Sequence, residues 1–185
     1  MCRKCALKYA NYIRKFKFLN IDCLAIYNYD ENIKSLLYQF KGCHDYELYP
    51  VFLYRYAFEL SIMYHNYVIV PIPSYQEEDE KRGFNHVREI FSLLNLKMMD
   101  ILVKTANVKQ ADLSKEERKN ISKYLKVKEN VDLSGKKVLI VDDVFTTGST
   151  MSAAINLIKG LHPKKIKVLV MSKTINDNYK RTHIV

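Results

Sequence analysis

The chain has 185 residues, a formal net charge of +10, 48% hydrophobic residues and 27% charged residues. That length suits one domain with a full core, and the balance is ordinary for a soluble globular protein. With only 5 glycines and 4 prolines, long disordered linkers are not expected. No apolar run approaches the roughly 20 residues of a membrane helix, and the basic start leads into no apolar signal region, so a cytoplasmic protein is expected. The positive charge favours anionic partners, either nucleic acid or small phosphorylated ligands; a solvated lysine-rich surface would give the same count.

Residues 1–21 hold six basic and no acidic residues, interleaved with Tyr9, Tyr12, Phe16 and Phe18. Stacking aromatics among cations suit a single nucleic-acid strand; an amphipathic helix packing its rings on the body suits the pattern equally. Cys2 and Cys5 form a C-x2-C knuckle, half of a tetrahedral zinc site. Completing it would need Cys23 or Cys43 to fold back, or cysteines from further upstream. Residues 1–23 are therefore read as a basic segment with a partial zinc motif, and 24–185 as the main domain.

Asp22 to Tyr29 is a short strand candidate. A helix starting at Asp30 or Glu31 runs through Ile33, Leu36, Leu37 and Phe40 and stops at Gly42. A second helix is predicted over 46–64, carrying Leu48, Phe52, Leu53, Tyr56 and Leu60. Tyr67 to Pro71 is a buried strand, closed by Pro71 and Pro73, which lack an N–H for the ladder. A charged loop from Gln76 to Arg82 leads to Gly83-Phe84-Asn85 and a helix to about Leu94. Met98 to Lys104 is a further strand candidate. A capping box at Ser114 and Glu117 marks a helix over 114–124. Lys136 to Val141 is a buried strand, Ser149 to Gly160 a helix, and Lys165 to Met171 a strand. Apolar strands alternating with helices indicate an α/β fold with a parallel sheet flanked by helices.

The sharpest feature is Lys137-Val-Leu-Ile-Val-Asp142-Asp143-Val-Phe-Thr146-Thr147-Gly148-Ser149-Thr150. An apolar strand delivers two carboxylates near its carboxyl end, where open α/β sheets place ligands. Small residues then let backbone N–H groups and hydroxyls close around a phosphate at a helix N-terminus. The loop lacks the glycine and lysine spacing of a nucleoside-triphosphate loop, so a monophosphate fits better. Carboxylates repel phosphate but accept hydrogen bonds from sugar hydroxyls. A ribose 5-phosphate satisfies both halves of the motif.

This segment resembles the phosphoribosyl-diphosphate signature of type I phosphoribosyltransferases. Leu37-x-x-Phe40-Lys41, Val70-Pro71-Ile72-Pro73-Ser74 with Arg82-Gly83-Phe84-Asn85, and Lys109-Gln110-x-x-Leu113-Ser114-x-x-Glu117-Arg118-x-Asn120 resemble one branch, the ComF proteins. The resemblance implies a type I phosphoribosyltransferase fold with a smaller hood and a mobile catalytic loop. It implies Asp142 and Asp143 on the ribose hydroxyls, and Thr146, Thr147, Gly148, Ser149 and Thr150 around the 5-phosphate. Pro71, Ile72, Pro73 and Ser74 would form the diphosphate loop beside Mg2+. Arg82 would neighbour the diphosphate, although a surface ion pair is the alternative. Lys109 and Gln110 would flank the mobile segment.

Two departures matter. Purine-salvage relatives carry an acid where Thr146 stands, which argues against purine salvage. ComF relatives carry paired knuckles at the front, where only Cys2 and Cys5 match, so the chain looks shortened there. Cys2 as a glutaminase nucleophile would need a further domain of about 200 residues. His86 stands where the family commonly has glutamine, and the five histidines form no cluster in sequence.

Two functions follow. One is an enzyme transferring a phosphoribosyl group from the Mg2+-bound donor to an unidentified acceptor. The other is a non-catalytic module of DNA uptake that keeps the site as a sensor, with single-stranded DNA or the competence helicase as partner. A homodimer is compatible with either.

Overall fold

The computed structural model describes residues 13–104 and 125–174. Five strands form one sheet in the order β1-β2-β7-β6-β3. They are β1 (Arg14–Phe18), β2 (Ile21–Asn28), β3 (Tyr67–Pro71), β6 (Lys137–Phe145) and β7 (Lys165–Lys173). The pairs β2–β7, β7–β6 and β6–β3 are parallel, and β1 runs antiparallel to β2. A separate antiparallel pair joins β4 (Leu102–Lys104) to β5 (Leu125–Val127). Residues 14–20 thus do not form the amphipathic helix that one reading of the basic segment offered. Arg14 to Phe18 is a strand, turned onto β2 through Leu19 and Asn20, both at positive φ as a tight hairpin turn demands. The boundary placed at residue 23 falls within β2.

Alternation along the parallel strands builds two cores. Leu24, Ile26, Ile69, Leu139, Val141, Leu169 and Met171 face one layer of helices. Cys23, Ala25, Val70, Val138, Ile140, Val168 and Val170 face the other. The first layer holds α1 (Glu31–Gly42), α2 (Tyr49–Leu53), α3 (Ala57–Met63) and α5 (His86–Ser92), with the short α4 (Gln76–Arg82) before α5. The second holds α6 (Ser149–Lys159), which buries Met151, Ala153, Ala154, Ile155 and Ile158.

Helix α1 forms where its sequence predicts. The Asp30 carboxylate accepts the Ile33 amide at 2.9 Å, and Ile33, Leu36, Leu37 and Phe40 are buried at helical spacing. Burying each such side chain stabilises the fold by about 1.5–3 kcal/mol. Three expectations are corrected. The helix predicted over 46–64 is three pieces, a 3-10 turn at Tyr46–Leu48 followed by α2 and α3. Pro50 lies in the first turn of α2 and lacks the N–H that a continuous helix would use. Gln76 to Arg82 is a helix, not a loop, ended by Gly83 at φ +83°. In the Met98 to Lys104 candidate only Leu102–Lys104 pairs as a strand with β5. Met98 instead bridges to Ile69, extending the sheet past β3. The predicted helix over 114–124 lies outside the described residues.

Candidate functional site

Strand β6 runs two residues beyond the aspartates, to Phe145, so the carboxylates project from the sheet itself. Asp143 is buried on the side of α1 and α5. Its Oδ2 accepts Lys41 Nζ at 2.7 Å and faces His86 Nε2 at 3.3 Å. Its Oδ1 accepts the Val144 amide at 2.7 Å. A carboxylate has about four acceptor positions, so most of Asp143 is committed to the protein. Asp142 is half-buried, and its Oδ1 accepts the Asp143 amide at 2.9 Å.

The two neighbours consequently titrate in opposite directions. Burial drives Asp142 well above the usual carboxylate range, the Asp143 charge adds to that, and Lys104 opposes both. For Asp143 burial acts the same way, but the Lys41 ammonium and the His86 hydrogen bond outweigh it and hold the group well below that range. Burial works against the Lys41 charge too, yet Asp143 prevails and raises it. His86 is lowered, chiefly by burial, so its contact with Asp143 is a hydrogen bond from a neutral ring.

Beside the aspartates lies a cavity of about 500 Å³. Its lining includes Asp142, Asp143, Lys41, Lys104, Thr146 and Thr150. Ile72, Pro73 and Ser74 close it from the β3 side, and the Ile72 amide donates to the Val141 carbonyl at 2.9 Å. A neighbouring cavity of about 610 Å³ shares Pro73, Ser74 and Lys104 and contains Pro71, but neither aspartate lines it. The loop after β6 is open: Thr146 and Thr147 are exposed, and Ser149 and Thr150 half-buried. Gly148, at φ +78°, turns the chain into α6, which has no side-chain cap. The first-turn amides stand at the N-terminus of an eleven-residue helix, with the Ser149 N–H donating to Thr147 Oγ1 at 3.4 Å. Thr147 and Ser149 hydroxyls lie 2.9 Å apart across this turn.

The structure thus brings together Asp142, Asp143, Ile72, Pro73, Ser74, Thr146 and Thr150 around one space. Arg82 is not among the residues lining it. Its Nε donates to the Lys41 carbonyl at 3.0 Å and its Nη1 to Asp79 at 3.1 Å, and the side chain is 7% exposed. Ser74 is fixed from behind, donating to Asp79 Oδ1 at 2.6 Å and accepting Asn85 Nδ2 at 2.9 Å. Lys109, Gln110, Cys2 and Cys5 lie outside the described residues. Cys23, considered for zinc, is buried in the second core, and burial pushes its thiol up to about 12. Among the described residues no group of three or more His, Cys, Asp or Glu is placed to hold a metal ion.

Sequence reasoning left Lys41 and His86 without a role and did not single out Lys104. Lys41 sits within a motif quoted for the resemblance, but 102 residues separate it from Asp143. Only the fold reveals the pairing.

The phosphoribosyl transferase domain family matches residues 57–184. The chain belongs to that family. Its parallel sheet with flanking helices is the architecture expected of a type I member, and its likeness to the ComF branch is borne out. It is 30% identical to competence protein ComFC of Bacillus subtilis over 132 residues, 70% of this chain and 55% of that protein. With ComFC of Streptococcus pneumoniae it shares 28% identity over 143 residues, 77% of this chain and 64% of the relative. The chain thus spans somewhat more than half the length of both relatives. A solved hypoxanthine-guanine-xanthine phosphoribosyltransferase is 16% identical, with a TM-score of 0.43 over 74% of this chain and 70% of that one. Among the described residues no helix is long and apolar enough to cross a membrane.

Proposed function

We propose that this phosphoribosyltransferase-family protein binds phosphoribosyl diphosphate, with the ribose hydroxyls on Asp142 and the 5-phosphate in the loop Thr146 to Thr150. The reading rests on one observation: Asp142, Thr146, Thr150 and the loop Ile72 to Ser74 line a single cavity at the carboxyl ends of adjacent parallel strands. Hydroxyls and amides at the helix N-terminus favour a dianion. One sugar width away, a carboxylate accepts from hydroxyls. Asp143 stands behind Asp142 as a fixed charge balanced by Lys41, within reach of the same sugar. Its negative charge, with that of Asp142, favours positive charge developing at the anomeric carbon.

Lys41 and Lys104 line the cavity and supply positive charge for a diphosphate lying against the loop Pro71 to Ser74. The donor set also fits Mg2+, a hard cation that takes carboxylate and phosphate oxygens. Bound beside Asp142 and the diphosphate, Mg2+ would neutralise the leaving group. Both ComFC relatives are named competence proteins, and a role in DNA uptake inside the cell is the biological setting we favour. In that setting the partner is single-stranded DNA, or the competence helicase that moves it, and +10 of net charge suits the former.

Isothermal titration of phosphoribosyl diphosphate with Mg2+ tests the site. Saturable binding, lost when Asp142 and Asp143 are both replaced by alanine, supports it. A wild-type protein that gives no heat and no shift refutes it. Diphosphate release on adding candidate acceptors separates an enzyme from a sensor.

A further inference from the structure

The hairpin strand β1 lies at the opposite edge of the sheet from β3, yet its rings reach the phosphate loop. Phe18 meets Phe145 edge to face, centroids 5.0 Å apart, and Phe16 meets the same ring at 5.2 Å. Lys173 Nζ sits over both the Phe16 and Phe145 rings, at 5.3 and 5.7 Å. The Phe145 carbonyl accepts the Thr174 amide at 3.0 Å. The last residue before the loop is therefore held through both its ring and its backbone. Three residues on, Gly148 packs directly under the same rings. A Cβ built there would stand 2.7 Å from Cζ of Phe145 and 2.7 Å from Cζ of Phe18, far inside van der Waals contact. Both φ +78° and the two rings thus disfavour a larger residue at Gly148.

We infer that Phe18 is a positioning residue for the 5-phosphate loop: with Phe145 it forms an aromatic wall that sets where Gly148, and hence the first turn of α6, presents its amides. This inference rests on the ribose-phosphate reading of the loop. Aromatic pairs of this geometry contribute beyond the area they bury, and a loop shifted by a fraction of an ångström misaligns every amide aimed at one anion. Ser74, on the diphosphate side of the cavity, is held by Asp79 and Asn85, whereas Phe18 meets Phe145 and Gly148. Its effect is confined to one end of the ligand.

The test measures two ligands on the full chain, ribose 5-phosphate and Mg2+-diphosphate, by isothermal titration. Phe18→Ala is expected to weaken ribose 5-phosphate about tenfold while leaving Mg2+-diphosphate unchanged, and Phe18→Leu to recover most of the loss. Equal weakening of both ligands, or no weakening of either, overturns the inference. Failure of the wild-type protein to bind ribose 5-phosphate instead overturns the reading beneath it. Should Phe18→Ala not fold, a thermal-unfolding cycle between Phe18→Leu and Gly148→Ala decides. The loop contact predicts that Gly148→Ala lowers the melting temperature less in the Phe18→Leu background; strictly additive shifts contradict it.

Discussion

Arg82 Nη1 lies 3.2 Å from Nδ1 of His86, and since a guanidinium can only donate, the histidine nitrogen is the acceptor. The ring proton therefore resides on Nε2 and points at Asp143 Oδ2, 3.3 Å away. A chain of contacts follows from Asp79 through Arg82 and His86 to Asp143 and Lys41, closed by Arg82 Nε on the Lys41 carbonyl. Arg82 thereby orients the site's buried half.

His86 serves as a neutral donor, so a glutamine should replace it and a leucine should not. We expect His86→Gln to cost less than about 1 kcal/mol, and His86→Leu about 1–3 kcal/mol, because the latter leaves Asp143 short of a donor. Urea unfolding at pH 7 measures both.

Removing the cation that Asp143 relies on is more damaging. Lys41→Met leaves a nearly buried carboxylate without its ammonium, and about 2 kcal/mol or more of stability should go, less than for a fully buried pair because Lys41 is 34% exposed. The pH profile carries a sign. A carboxylate depressed in the folded state contributes stability that is complete above its unfolded value, near 4, and is lost as pH falls further. Wild-type protein should therefore destabilise steeply below about pH 4, and Asp143→Asn should flatten that slope.

Asp142 has the opposite sign. Burial favours its protonated form, so ionisation opposes folding at every pH above the unfolded value. Asp142→Asn should raise the melting temperature of the unliganded protein at pH 7 while abolishing ribose-phosphate binding, a trade common at functional sites. Wild-type affinity should rise with pH as Asp142 ionises, and calorimetric titrations at a series of pH values should show it.

The diphosphate side depends on one acid. Asp79 receives Ser74, Asn85 and Arg82, so Asp79→Ala releases three donors at once. A loss of about 2–3 kcal/mol is expected, together with weaker Mg2+-diphosphate binding, measured by denaturant unfolding and titration.

Much of the fold was legible because its signals are local. Ile33, Leu36, Leu37 and Phe40 between Asp30 and Gly42 specify α1, and the run before Asp142 specifies β6. Helix α4 was hidden because Gln76 to Arg82 contains no apolar residue; its order comes from the Asp79 network and the Gly83 turn. The hairpin was hidden because Leu19 and Asn20 make the turn without a glycine. At the site, the Asp pair and the small-residue loop that carry the proposed ribose-phosphate reading lie within thirteen residues. Their inequality does not show in sequence, since it arises from Lys41 and His86, brought to Asp143 from two other helices.

The most direct measurement is a crystal structure of the protein with ribose 5-phosphate and Mg2+. The phosphate is expected within hydrogen-bonding distance of amides and hydroxyls between Thr146 and Thr150, with a ribose hydroxyl on Asp142. A sugar phosphate bound elsewhere on the surface, with this cavity occupied by solvent alone, would contradict it.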